Sequence, residues 1–301
     1  MSKKSISNPT KRLSWKAYRS LFKNTVVEFA SENSLFHGAA LSYYTIFALV
    51  PILYLSIVSF GAFIGQEKMQ SIISDVLTKQ IGIKDVHGIM SFLNEIDFHK
   101  TNFILQTVGV IVLLVSSTAI LSSLKYSIND FYDIQRVHIS KKKLLFSTLK
   151  DRLVHVLLLM FFGTIIIVTY FAQLVIISFG DKLFSELHGL RELFSLLTQH
   201  FIPFITNVII FYFVLKYVSD GLVHKRLAFA GSVVTATLLY LGQLGIKFYL
   251  THYFFAKDAG IAGTILILLA WVYYTSQIIF FGAKFTSEYA KILGQPIQVK
   301  K

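Results

Sequence analysis

The stretch GAALSYYTIFALVPILYLSIVSFGAFIG, Gly38 to Gly65, runs for 28 residues without one charged side chain. A helix rising 1.5 Å per residue needs roughly 20 apolar residues to cross a hydrocarbon layer of about 30 Å. A helix on a soluble protein keeps a charged or polar face toward water, so charges recur every turn or so. None recurs here, and hydrocarbon is therefore the predicted solvent. Five further stretches read the same way: Phe103 to Leu124, Leu153 to Phe179, Ile202 to Val218, Leu227 to Leu250 and Ile261 to Ala283. The fourth is the weakest, with 17 residues and Lys216 near its end. The predicted fold class is all-α: a polytopic membrane protein of six transmembrane helices. A single membrane domain is expected over residues 1–301, with a cytoplasmic or interfacial segment 1–37, a six-span bundle 38–283 and a cytoplasmic tail 284–301.

Charge placement predicts the threading. The chain carries a formal net charge of +13. With the amino terminus inside, the inner segments hold 21 of the 29 Lys and Arg residues and the outer segments hold 8. Every segment counted is shorter than about 60 residues, where the positive-inside bias is informative. Both termini are therefore predicted to be cytoplasmic. The basicity reads as topology and not as a nucleic-acid footprint. The cluster Lys141, Lys142 and Lys143, with Arg136 before it, also suits attraction to anionic headgroups at about 1 kcal/mol per cation. Membrane lipids, anionic ones among them, are the expected partners, with envelope proteins as a further class. The first 35 residues are polar and basic, and no cleavable signal peptide is expected. Cysteine is absent, which removes disulfides and thiolate chemistry.

Two regions flanking the spans look amphipathic. Trp15, Tyr18, Phe22, Val26 and Phe29 recur at steps of three and four, with Lys16, Arg19 and Lys23 directed away. This predicts an N-terminal helix that lies at the headgroup boundary or packs on the bundle. In the longest outer segment, Met69, Ile72, Ile73 and Val76 form one stripe. A break follows at Ile81-Gly82, and Val86, Ile89, Leu93 and Ile96 form a second stripe. Two short outer helices are expected.

Within the first span, Pro51 removes the helical bond to the Phe47 carbonyl and predicts a kink. Tyr43 and Tyr44 lie just before it, so this part of the helix either lines a cavity or bends to fit its neighbours. The second span ends in Ser116, Ser117, Thr118, Ser122 and Ser123, which suits close helix packing or a hydrophilic path. Gly38 with Ser42 and Gly231 with Thr235 are small-residue pairs of the same kind. Gln173, Asn207, Gln243 and Gln277 are polar groups inside four different spans, and such groups are expensive in hydrocarbon. Tyr43, Tyr44, Pro51, Asn207, Gln243 and Gln277 are the candidates for a substrate path. Lys247 is close enough to its helix end to snorkel.

Catalytic motifs are missing. No HExxH pair, nucleotide-cradling GxxxxGK[ST] loop, GxSxG elbow or GxGxxG turn occurs. The acidic residues gather at the predicted surfaces. No enzyme activity, cofactor or metal site is expected.

Three stretches resemble the BrkB/YihY family of bacterial inner-membrane proteins. They are His37-Gly-Ala-Ala-Leu-Ser-Tyr-Tyr-Thr-Ile-Phe-Ala-Leu-Val-Pro51, Ser127-Ile-Asn-Asp-Phe-Tyr-Asp133, and the run from Gly260 through Trp271 to Gly282-Ala283. With the span spacing, the likeness covers roughly residues 20–290. It makes Asn129, Gly260, Trp271, Lys284 and Glu288 the motif positions. Many relatives have Tyr-Gly where this chain has Ala259-Gly260, and a Glu where it has Lys284. Glu288, one turn on, is the expected partner of that lysine. The resemblance implies a helical bundle and, by analogy with some members, transport of a lipid or lipid-linked precursor. The leading expectation is a non-enzymatic transporter or flippase for an amphiphile. A membrane scaffold of envelope biogenesis, using Met69, Ile73 and Ile89, is the alternative. A membrane-attached ribonuclease working through the Lys141 loop is third.

Overall fold

The computed structural model describes residues 14–31, 33–81, 86, 90–91, 103–134, 144–183, 188–252 and 260–299. Its helices are α1 (Trp15–Ser31), α2 (Ser34–Ile64), α3 (Gln66–Asp75), α4 (Phe103–Phe131), α5 (Leu144–Leu183), α6 (His188–Phe213), α7 (Lys225–His252) and α8 (Gly260–Ile292). Wider π-helical turns extend α3 over Val76–Ile81 and α6 over Val214–Val218. Among the described residues, four segments are long and apolar enough to cross a membrane: Met160–Gly180, Glu192–Val218, Lys225–Ile246 and Ile265–Ile292.

Several helices run past the expected spans, and two of these ends bear on the fold. Helix α6 begins at His188, so most of what reads as an outer loop before Ile202 is helical. Arg191, Glu192, Gln199 and His200 lower the hydropathy there without preventing backbone hydrogen bonding. Helix α8 continues nine residues past Ala283. It stops at Gly294, whose φ of +70° suits glycine. There Gly294 N–H donates to the Lys291 carbonyl and Gln295 N–H to that of Ala290, both at 2.9 Å. The chain then pairs Gln298–Val299 antiparallel with Gly221–Leu222, in the turn between α6 and α7.

The amphipathic segments turn inward more than their patterns imply. Helix α1 packs on α8 through Leu21 and Thr25, both buried. Phe29 stacks on Phe131 at 5.7 Å and meets Phe281 edge-on at 5.5 Å. Trp15, Tyr18, Phe22 and Val26 stay exposed, so the predicted stripe divides between bundle and surroundings. After α2 the chain reverses at Gly65 (φ +91°), and α3 folds back on the bundle. Met69, Ile72, Ile73 and Leu77 bury themselves against Ile57 and Leu268. A scaffold surface built on Met69 and Ile73 is therefore closed. Of the second stripe, only Val86 is described, packed at the edge of this cluster; Ile89, Leu93 and Ile96 lie outside the described residues.

Helices α7 and α8 interlock through small residues. Gly231 and Thr235 on α7 face Thr286 and Gly282 on the antiparallel α8. Each threonine hydroxyl sits where the opposing glycine would carry a Cβ, and each donates to its own helix at 2.7 Å, Thr235 to the Gly231 carbonyl and Thr286 to the Gly282 carbonyl. Small residues let backbones approach this closely. Gly38 on α2 forms a comparable notch for Gln277 and Tyr273 of α8, and Gln277 Nε2 donates to the Ser34 carbonyl at 2.9 Å.

Gly231→Ala should force its new methyl into the Thr286 hydroxyl and lower stability by about 1–3 kcal/mol. Adding Thr286→Ala should restore part of that loss. Thermal unfolding in detergent measures both, and equal destabilisation of the single and double variants would contradict the interlock.

Candidate functional site

The last turn of α4, Ser127 to Asp133, is the hub of the polar structure. Each of its residues is buried or engaged with another part of the chain. Ser127 Oγ lies 2.9 Å from His37 Nδ1 at the start of α2, and Asp130 Oδ2 lies 3.1 Å from the same ring's Nε2. Asn129 grips Asp220, after α6, twice: its Nδ2 donates to the carboxylate and its Oδ1 accepts the Asp220 N–H, both at 2.9 Å. Lys125 Nζ adds an ion pair to Asp220 at 2.8 Å. Phe131 stacks on Phe280 at 5.2 Å, and the Tyr132 hydroxyl donates to the Leu215 carbonyl at 2.8 Å. Ile128 has no exposed surface.

Asp133 closes this turn in an unusual conformation. Its φ of +55° is the left-handed region that normally favours glycine. Asp133 N–H donates to the Asp130 carbonyl and Ile134 N–H to the Asn129 carbonyl, the pattern of a left-handed helix stop. Glycine would fit there without strain but would supply no carboxylate. Asp133 Oδ1 lies 3.3 Å from Lys284 Nζ, and Oδ2 lies 2.8 Å from Lys291 Nζ. Lys284 is 0% exposed and also lies 3.7 Å from Glu28 on α1. Glu288 pairs with Lys291 at 2.7 Å, so the partner expected for Lys284 serves the next lysine. The chain Glu28–Lys284–Asp133–Lys291–Glu288 thus joins α1, the end of α4 and the end of α8. Burial opposes ionisation of Asp133, but hydrogen bonds and charge from Lys291 and Lys284 outweigh it and hold the carboxyl below its ordinary value of 3.8.

The other anticipated residues fall elsewhere. Tyr43, 58% exposed, and Tyr44 face out of the bundle beside Phe47. Pro51 lies within α2, which is helical on both sides of it; its side chain is outside the described residues, as is that of Lys247. Asn207 and Gln243 are half-buried on α6 and α7, and among the described residues no hydrogen bond joins them to each other or to Gln277. Gly260 opens α8, and Trp271 packs at 6.3 Å from Tyr274 beside Leu238. Arg136 and Lys141 to Lys143 lie outside the described residues. Lys216 is held by the Tyr212 hydroxyl at 3.0 Å and lies over the Tyr217 ring. His37, Asp130, Asp133 and Asp220 belong to the site without any motif that marks them as site residues. Their signal was an unusual density of polar groups at the predicted mouth of a span. Among the described residues no three His, Asp or Glu side chains are grouped to hold a metal. The cluster is equipped to bind charge and to hold helices together.

A family model described as virulence factor BrkB matches residues 25–298. A UPF0761 membrane protein of Alkalilimnicola ehrlichii is 25% identical over 265 residues, covering 87% of this chain and 56% of its own length. One of Stenotrophomonas maltophilia is 27% identical over 269 residues, covering 87% and 59%. One of Aeromonas salmonicida reaches 30% over 128 residues, covering 40% and 44%. The chain thus spans little more than half the length of the first two relatives and less than half of the third, and their names say only that they are membrane proteins. No solved structure matches.

Lys284→Met should lower stability by about 2–3 kcal/mol, less than the roughly 3–5 kcal/mol of a fully buried pair, because Glu28 and Asp133 keep contact with water. A depressed carboxyl stabilises the fold above its unfolded value and loses that contribution as pH falls through its folded value. Melting temperature should therefore drop on acidification below about pH 4 through Asp133, and Asp133→Asn should be less stable at neutral pH with a shallower drop.

Proposed function

This chain belongs to the BrkB virulence-factor family, and from that premise we propose that it is a non-enzymatic carrier or flippase moving a lipid or other amphiphile across the bacterial inner membrane. Its character as a helical integral membrane protein follows from the apolar helices and the family. In the proposed threading, α2, α4, α5, α6, α7 and α8 are six spans. Helices α2 and α4, with 31 and 29 residues, exceed the roughly 20 that a crossing requires. Both termini are cytoplasmic, which sets the Asp133–Lys284 cluster at the inner mouth. Helix α1 then lies along that face with Trp15, Tyr18 and Phe22 at headgroup depth.

The observation that supports transport is the wholly buried Lys284 amine. A buried charge in a membrane bundle is costly and is kept where it closes or lines a path. Its partners come from separate elements, α1 and the end of α4, so separating those elements breaks the cluster while leaving each helix whole. That is the behaviour of a gate. No nucleotide-binding loop is present, so movement is passive, driven by an ion gradient or coupled to a partner. The scaffold alternative requires surfaces other than Met69 and Ile73.

Reconstituted into liposomes of phosphatidylethanolamine and phosphatidylglycerol, the protein should accelerate transbilayer movement of a fluorescent phospholipid, read by dithionite quenching. Asp133→Asn, verified as folded, should change that rate by about tenfold, the equivalent of about 1.4 kcal/mol. No acceleration with any anionic or zwitterionic lipid would end the carrier reading. The cysteine-free chain also permits a direct threading test. Cysteines placed at Ser5 and Lys301 should react with an impermeant maleimide only after the inner membrane is opened.

A further inference from the structure

Asp75 departs from the expectation that acidic residues keep to the membrane surfaces. Helix α3 folds back along the bundle, and its apolar stripe meets Ile57, seven residues before the end of α2, and Leu268, eight residues after the start of α8. At 1.5 Å per residue, those contacts lie about 10–12 Å inside both helices. Asp75 is the last residue of α3 and accepts a hydrogen bond from the Tyr170 hydroxyl at 2.6 Å. Tyr170 is the central residue of the apolar segment Met160–Gly180, ten positions from each end. The carboxyl therefore meets a membrane-crossing helix about 15 Å from either end of its apolar run. The wider turn Val76–Ile81 begins at the next residue, and turns of this kind gather at functional sites.

Few charges surround it among the described residues. Lys68, two turns back on α3, is folded over the Phe171 ring, 5.3 Å from its centroid, and Glu67 precedes it in the chain. Tyr170 is the titratable group that α5 brings to this contact. The faces that α2 and α8 turn toward α3 are apolar: Leu53, Ile57 and Phe60 from the first, Ile267 and Leu268 from the second. Helix α7 touches the wider turn. The side chains of its Lys247, and of Lys79 in the turn itself, lie outside the described residues.

We propose that Asp75 is a proton-binding carboxyl held within the membrane, and that its protonation couples the molecule to a proton gradient. An ionisable group at such depth is costly and marks ion pathways and proton relays. A metal ion would need several oxygen or nitrogen ligands. Tyr170 donates to the carboxyl instead of accepting, and among the described residues no three metal-binding side chains are grouped. The bond length of 2.6 Å suits a hydroxyl donating to an ionised carboxylate. A proton taken from the aqueous phase adds to one carboxylate oxygen and makes the group neutral. The cost of a charge in an apolar setting then disappears, and the bond from Tyr170 falls to about half its strength. Helix α3, joined to α2 through the single residue Gly65, is thereby loosened from α5. Loss of the proton to water restores the charge and the contact. The coupling rests on the carrier reading, since it names the ion whose gradient drives movement; proton binding itself does not require transport.

The test is difference infrared spectroscopy of the full-length protein in lipid nanodiscs, with pH stepped and the carboxylic C=O stretch recorded. The wild type should show a titrating band that Asp75→Asn removes and Asp75→Glu keeps at a displaced frequency. The bond from Tyr170 favours the ionised form, so Tyr170→Phe should move the band's midpoint up by about one pH unit. Melting temperature is the folding control; if Asp75→Asn does not fold, Asp75→Glu and Tyr170→Phe decide the matter. In liposomes, an imposed proton gradient should change the rate of lipid movement by the wild type, and Asp75→Asn should lose that response. A carboxyl band identical in the wild type and a folded Asp75→Asn, or a midpoint unmoved by Tyr170→Phe, would overturn the proposal. A titrating Asp75 in a protein that moves no lipid would refute the carrier reading and leave the proton site standing. Lipid movement indifferent to the gradient would keep the carrier and remove the coupling.

Discussion

A lysine amine with no solvent exposure has to be neutralised by its surroundings or it destabilises the fold. Much of the architecture at one end of this bundle serves that requirement for Lys284. Helix α4 ends so that Asp133 can reach it, and the ending is strained. Left-handed backbone at a residue with a side chain costs on the order of 1 kcal/mol or more. The strain is offset by a carboxylate whose two oxygens each engage a lysine. Glu28 arrives from α1, which is held in place by Leu21, Thr25 and Phe29 against α8 and α4.

The same seven-residue stretch distributes its other groups over the remaining neighbours. His37 brings the start of α2, Asp220 brings the turn after α6, and Phe280 brings α8. Hydrophobic burial contributes little to helix association within lipid, where tails are as apolar as leucine. Specific polar contacts and close packing therefore decide which helices meet. The polar clasp supplies the first at this end of the bundle. The glycine–threonine contacts between α7 and α8 supply the second along its length.

The helices were legible because hydrocarbon tolerates so few charges: each expected span falls on an observed helix, the first running one residue past the end of α2 to Gly65. The start of α6 was not, since Arg191 and Glu192 interrupt apolarity without interrupting hydrogen bonding. Nor could the pattern show which way Tyr43 and Tyr44 face. When lipid and protein interior are both apolar, periodicity loses its contrast. The stripe on α3 was visible, but a stripe does not say whether it meets lipid, a partner or its own bundle. Asn129, Lys284 and Glu288 each stood out singly. Their assembly did not, because Asp133 and Lys284 are separated by 151 positions in the chain and no local rule links them.

The reciprocal seam between α7 and α8 has a mechanical consequence. Thr235 and Thr286 spend their hydroxyl hydrogens on their own helices, so the seam has no spare donor with which to re-form in another register. Sliding either helix by one residue would press a hydroxyl against a neighbour that carries a Cβ. The two helices must then travel as one rigid slab, with α1 riding on it through α8. Any rocking motion of the molecule falls along the border of that slab, where α8 abuts α2 and the tip of α4, and the breakable charges lie on that line.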